Sequence, residues 1–295
     1  MKKAWVMIAF VLSTPAFGDH PLVLQSDFGE KDGAVAAMRG VAISVSPTIP
    51  LYDLTHEIPP FNIWEASFRL VQAAEYWPEG TVFVSVVDPG VGTNRKSVVL
   101  KTKTGHYVVT PDNGTLTLIA QKLGIAELRE IDEAVNRLKN SEKSYTFHGR
   151  DVYAYTGARL AAGKITFEEV GRVLPPEVVS IPFQDAVFSN EEIRGNIPVQ
   201  DVQFGNVWTN IGREPFQMLN VETGMKLRVR IRNQDEIVLD TSVPYVDTFG
   251  GVDIGEPLIY LNSLNSVSLA LNQGNFAEAH GIGSGPDWSI QLTHD

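Results

Sequence analysis

Three ionisable side chains sit in two turn-rich stretches. Asp88 and Arg95 belong to Val86-Val87-Asp88-Pro89-Gly90-Val91-Gly92-Thr93-Asn94-Arg95, and His148 to Thr146-Phe147-His148-Gly149-Arg150-Asp151. They supply an acceptor, a permanent cation and a group that titrates near neutrality, the set needed to hold and polarise a water molecule. The chain has no Cys, no G-x-S-x-G elbow and no H-E-x-x-H helix, so it offers neither a conventional nucleophile nor a zinc helix. The chemistry to expect is direct attack by water or another small nucleophile. Each residue taken singly also has a plainer role: Asp88 closing its own turn, Arg95 on the surface, His148 as a satisfied loop histidine.

The elements that must position these groups alternate. Leu22–Gln25, Ile49–Asp53, Thr81–Val87, Ser97–Lys101 and Tyr107–Thr110 read as strands. Gly33–Val45, Ile63–Tyr76, Leu116–Leu123 and Val152–Ala162 read as helices. This order predicts an α/β N-terminal domain over 19–172 with a mainly parallel sheet. Ligands of such sheets sit beyond the carboxyl ends of the strands, so Asp27, Asp53 and Asp88 should cluster there. Leu174-Pro175-Pro176 opens a linker over 173–190. Beyond it, Gln200–Val202, Met225–Arg232, Glu236–Leu239, Pro257–Leu261 and Ser266–Leu271 are short strands separated by turns. They predict a smaller, all-β C-terminal domain over 191–295, a barrel or a sandwich.

Composition narrows the partners. Residues 1–18 carry Lys2 and Lys3, an apolar run from Ala4 to Leu12, and Ala16-Phe17-Gly18 as a cleavage site. That is the pattern of a signal peptide and implies an exported, periplasmic or secreted protein with no membrane segment after cleavage. The formal charge is −11, and loss of Lys2 and Lys3 takes it to −13. Such an acidic chain repels phosphate backbones, which excludes nucleic acid as the expected partner. Absence of Cys excludes disulfides and suits an oxidising compartment.

Further positions have two readings each. Asp27 either satisfies a turn or accepts the hydroxyls of a ribose, and Asp32 caps a helix on position alone. Phe204-Gly205-Asn206-Val207-Trp208-Thr209-Asn210 is either core aromatics with turn amides or a stacking surface suited to a purine. Gly281-Ile282-Gly283-Ser284-Gly285 precedes Pro286 rather than a helix and reads as a loop.

Taken in order, Ser26-Asp27-Phe28-Gly29, Asp88-Pro89-Gly90-Val91-Gly92, Pro111-Asp112-Asn113-Gly114, Phe147-His148-Gly149-Arg150-Asp151, the run from Phe204 to Ile211, and Tyr260-Leu261-Asn262-Ser263 closely resemble one family. This is the S-adenosyl-L-methionine (SAM) hydroxide adenosyltransferase family, adenosine-forming SAM hydrolases related to the SAM-dependent fluorinase and chlorinase. The resemblance implies a homotrimer with active sites between subunits, and a water-holding triad of Asp88, Arg95 and His148. It implies that Asp27 binds the ribose hydroxyls and Asp32 the methionine amino group. Phe61 and Phe147 would flank the sugar or sulfonium, Asp201 would contact the methionine end, and Phe204, Asn206 and Trp208 the adenine. Halogenating relatives carry Tyr, Thr and Ser where this chain has Asp88, Val91 and Gly149, which points to the water-using branch. They also carry Arg where this chain has Leu264, leaving Ser263 and backbone amides as candidates for the methionine carboxylate. SAM is then substrate, and no metal or organic cofactor is expected. Two alternatives share the same residues: an exported adenosine- or SAM-binding protein without turnover, and the same chemistry on another 5′-activated adenosine compound.

Overall fold

The computed structural model describes residues 19–295; the expected signal peptide, 1–18, lies outside the described residues. The first region carries strands β1 (Leu22–Ser26), β2 (Leu51–Thr55), β3 (Val82–Val86), β4 (Ser97–Thr102), β5 (Tyr107–Pro111), β6 (Ile125–Glu130) and β7 (Val173–Leu174). Its helices are α1 (Ala34–Val45), α2 (Ile63–Ala74), α3 (Thr117–Leu123) and α4 (Tyr155–Ala161). The strands form one sheet in the order β2-β1-β3-β5-β4-β6-β7. The pairings from β2 across to β5 are parallel and those from β5 across to β7 antiparallel. The sheet is therefore mixed, with five of its seven strands pointing the same way.

Helices cover both faces, so the central strands are apolar on both sides. Leu22, Leu24, Val82, Val84 and Val86 pack with Met38 of α1 and Ala158 of α4. The alternate residues Val23, Phe83, Val98, Leu100 and Val108 pack with Leu70 of α2 and Ile119 of α3. The helix layer lies close: a Cβ at Gly157 of α4 would stand 2.4 Å from Val84 Cγ2, so only glycine admits this approach.

Chain direction places the site. From β1 the connection through α1 leads outward to β2, and the connection through α2 returns past β1 to β3. The order thus reverses between β1 and β3, a switch point whose carboxyl ends form a crevice. Asp27 and Asp88 follow those two strand ends. Asp53, expected in the same cluster, is not at a strand end: β2 runs on to Thr55, and Asp53 instead pairs with Arg39 and with His56 at 3.0 Å.

The second region carries β8 (Val187–Ser189), β9 (Glu192–Ile197), β10 (Val199–Asp201), β11 (Asn206–Gly212), β12 (Lys226–Asn233), β13 (Glu236–Pro244), β14 (Pro257–Leu261), β15 (Ser266–Leu271) and β16 (Gly285–His294). Two short helices, α5 (Arg213–Gln217) and α6 (Phe276–His280), join them. The strands form two antiparallel sheets, β10-β11-β15-β14 and β13-β12-β16-β9-β8. Ile193, Leu227, Val229 and Ile290 of one sheet share a core with Val207, Ile259, Val267 and Leu269 of the other. Each sheet is open, so this is a pair of facing sheets and not a barrel. The stretch 173–190 supplies β7 to the first region and β8 to the second. Among the described residues no helix is long and apolar enough to cross a membrane.

Candidate active site

Two cavities carry the residues singled out from the sequence, and they share no lining residue. The first, about 290 Å³, opens at the switch point and is lined by Asp27, Phe61, Asp88, Phe147 and His148, with Val91 and Gly149 beside them.

Asp88 follows β3, where Val87 is buried and fixes the strand exit. Its carboxylate accepts Arg95 Nε at 2.9 Å on Oδ1 and 3.0 Å on Oδ2, and Arg95 Nη2 on Oδ2. The same Nη2 lies 2.8 Å from His148 Nδ1, and Nη1 donates to Ser97 Oγ at 3.1 Å. Burial works most strongly against the Arg95 charge, but the hydrogen bonds to Asp88 together with the charges of Asp88 and Glu133 and the nearby Tyr153 outweigh it, and the guanidinium stays charged. His148 enters from the other side, immediately before a π-helical turn over Gly149–Ala154 that leads into α4. Single π turns recur at functional sites because they re-aim a side chain within a helix. Burial lowers the His148 pKa below its ordinary value; Glu133 opposes this, while Arg95 and Arg137 reinforce it.

The other wall is built by backbone. Phe61 adopts φ 67°, a conformation costing about 1–3 kcal/mol for a non-glycine residue. Its N–H donates to Asp27 Oδ2 at 2.9 Å, and Asn62 then caps α2 through Glu65 N at 2.9 Å. The Phe61 ring is left 69% exposed at the cavity rim. Phe147 stands edge-on to Phe28 at 5.7 Å, with the Arg150 guanidinium 4.8 Å from its ring centre.

The second cavity, about 930 Å³, lies in the β region and is lined by Asp201, Phe204, Asn206, Trp208, Tyr260 and Ser263, among others. Asp201 Oδ2 accepts Asn206 Nδ2 at 3.2 Å. Asn206 Oδ1 and Trp208 Nε1 are buried without a well-formed hydrogen bond among the described residues, although the Tyr260 hydroxyl stands close to the Trp208 indole. Phe204 projects, 63% exposed, from a turn that requires Gly205: its φ is 67°, and a Cβ there would lie 1.8 Å from Asn275 Oδ1.

The structure thus gathers Asp88, Arg95 and His148 into one network, with Asp27, Phe61 and Phe147 around the same cavity. It places Asp201, Phe204, Asn206, Trp208 and Ser263 around the other. Asp32 joins neither: it is exposed and accepts Ala34 N at 2.8 Å at the start of α1. Leu264 also lines neither of these two cavities. Sequence reasoning missed Glu133, Arg137 and Tyr145, which pack behind His148. Their segment has no periodic element to mark it. Among the described residues no group of three or more His, Asp or Glu side chains converges as a metal site would.

A switch-point α/β region carrying a bound carboxylate, guanidinium and imidazole, followed by a two-sheet β region with an aromatic cavity, defines a two-domain class of protein. Comparison with known proteins identifies which. The model of the SAM hydroxide adenosyltransferase N-terminal domain matches residues 22–171, and that of the C-terminal domain residues 195–289. The chain belongs to the SAM hydroxide adenosyltransferase family. An (R)-S-adenosyl-L-methionine hydrolase of Methanocaldococcus jannaschii is 36% identical over 223 residues, covering 74% of this chain and 76% of that protein. A fluorinase of Actinoplanes sp. is 30% identical over 297 residues, covering 92% of this chain and 97% of that protein. A crystal structure of an uncharacterized conserved protein from Thermotoga maritima superposes with a TM-score of 0.84 at 35% identity, covering 92% of this chain and all of that one.

Proposed function

We propose that this protein hydrolyses SAM to adenosine and L-methionine. The observation that carries the reading is the Asp88–Arg95–His148 network at the wall of a cavity that also presents Asp27, Phe61 and Phe147. Water held by the network attacks the ribose 5′ carbon in line with the departing sulfur. The C5′–S bond breaks with its electron pair on sulfur, so methionine leaves as a neutral thioether and needs no acid. Catalysis then consists of positioning and of polarising water. Arg95 is orienting and electrostatic, since a guanidinium does not act as a base.

Water is favoured over halide by the cavity lining. Asp88 would repel an anion, and neither Val91 nor Gly149 offers it a hydroxyl donor. The adenine end of the substrate suits the second cavity, where unpartnered Asn206 Oδ1 would accept an exocyclic amine and Trp208 Nε1 would donate to a ring nitrogen. The resemblance to the family adds a homotrimer in which one subunit's first cavity meets the next subunit's second, and the two cavities, which share no lining residue, are compatible with it. The reading also includes export, with Asp19 as the first mature residue.

The test is incubation of the mature protein with SAM in buffers free of halide and rich in chloride or fluoride. Equal adenosine and methionine, indifferent to halide, supports the hydrolase. A halogenated nucleoside, or SAM recovered unconverted from a tight complex, refutes it.

A further inference from the structure

His148 has a guanidinium on each side. Its Nδ1 lies 2.8 Å from Arg95 Nη2, and its Nε2 lies 2.8 Å from Arg137 Nη2. A neutral imidazole has one lone pair and one N–H, so it accepts from one of these donors and turns its hydrogen towards the other. An imidazolium would turn two N–H groups towards two cations and find an acceptor at neither ring nitrogen.

Arg137 is placed for this contact. Its side chain is 8% exposed, and it comes from the loop after β6, far from Arg95 in sequence. Nη2 divides its hydrogens between Glu133 Oε2, at 3.0 Å, and His148, while Nη1 is buried with no partner among the described residues. The guanidinium stacks 4.9 Å from the Tyr145 ring centre, and Tyr145 in turn stands edge-on to His148 at 6.3 Å. A cation this buried is costly to hold, and it is held here by Glu133, the Tyr145 ring and the contact to His148.

Asp88 differs. Its Oδ2 accepts two N–H groups from Arg95 and its Oδ1 only one, so Oδ1 keeps a lone pair, and Asp88 lines the cavity.

We infer that Arg137 is a positioning residue of this site, which with Arg95 holds His148 as the neutral imidazole, so that the proton of the attacking water passes to Asp88 Oδ1. The last clause rests on the hydrolytic reading; the state of the imidazole does not. As the O–C5′ bond forms and the C5′–S bond breaks, the attacking oxygen becomes a strongly acidic protonated alcohol. A carboxylate needs little basicity to take that proton, and it returns the proton to solvent as adenosine leaves. The charges facing His148 are Asp88 and Arg95 from the loop after β3, Glu133 and Arg137 from the loop after β6, and Asp27 across the cavity after β1.

The experiment is a pH titration of ring-15N-histidine protein, with the His148 signals assigned by their loss in His148→Gln. Wild type should hold His148 neutral at pH values where free histidine is protonated. Arg137→Met should raise its midpoint by about one pH unit or more, as removal of a nearby like charge does. Glu133→Gln should move it the opposite way, and Arg137→Lys should restore most of the wild-type behaviour. In parallel, the acid limb of kcat should shift upward in Arg137→Met while KM for SAM changes little. An imidazolium at neutral pH in wild type, or one midpoint shared by wild type and Arg137→Met, overturns the inference. Because the titration is read without turnover, it tests the bracket even if SAM is not hydrolysed. Failure of the bracket in an enzyme that forms adenosine would overturn this inference alone.

Discussion

The two cavities are finished to different degrees. In the α/β region the polar groups that face the cavity already have partners, Asp88 with Arg95, Arg95 with Ser97 and His148, Asp27 with the Phe61 backbone, and the unpartnered Arg137 Nη1 lies behind His148. In the β region the cavity is about three times larger, its rim aromatic is exposed, and two buried polar atoms lack a well-formed hydrogen bond. The contrast separates two tasks. Polarising water requires fixed charges in fixed geometry before the substrate arrives. Recognising a heterocycle requires donors and acceptors that only the ligand satisfies, so that an analogue lacking them leaves a buried group unpaired.

Substitutions in the two cavities should therefore fail differently. Asp88→Asn keeps the shape of the first cavity but removes the charge that pairs with Arg95 and lines that cavity. Turnover should fall about 10²–10⁴-fold with SAM affinity little changed, measured by steady-state kinetics and by calorimetric titration. A comparable loss in affinity would erase the division of labour. Trp208→Phe removes one donor from the second cavity and leaves its aromatic body. KM for SAM should rise about tenfold or more, from the partner left unsatisfied, at nearly constant kcat. A fall in kcat without a rise in KM would assign Trp208 to the chemistry instead.

Smaller effects sharpen the same comparison. Gly205→Ala forces both an unfavourable φ and a clash with Asn275 Oδ1. It should destabilise the β region by about 1–3 kcal/mol, read as a lowered denaturant midpoint with 15N shifts of His148 unchanged. Stability should also fall on acidification. His148 has a folded pKa below its ordinary 6.5, so the unfolded chain binds the proton first. Stability is full above that ordinary value and is lost as pH drops below it. Denaturant midpoints at pH 7.5 and 5.5 in wild type and His148→Gln should show a slope that the variant lacks in part.

How far the sequence foretold this depends on the region. The α/β alternation was legible because central strands buried on both faces give continuous apolar runs, as in Leu22–Ser26 and Val82–Val86. The start of β2 was misplaced by two residues, since Ile49 and Pro50 are apolar but precede the ladder. The helix around His148 begins earlier than Val152, as a π turn that no periodicity signals. In the β region, β16 was missed although Trp288, Ile290 and Leu292 alternate with polar residues, because Gly285 and Pro286 at its start read as loop. β9 was missed because Gly195 and Asn196 interrupt its apolar pattern. Asp88, Arg95 and His148 stood out by type and flanking turns. Arg137 did not, because only the fold carries the loop after β6 to the back of the imidazole.

The claim that water is the nucleophile at C5′ is tested most directly by turnover of SAM in H₂¹⁸O, with the products analysed by mass spectrometry. The account predicts adenosine carrying one ¹⁸O at the 5′ hydroxyl and unlabelled methionine in equal amount. Adenosine without label, label in methionine, or a halogenated nucleoside in its place would contradict it.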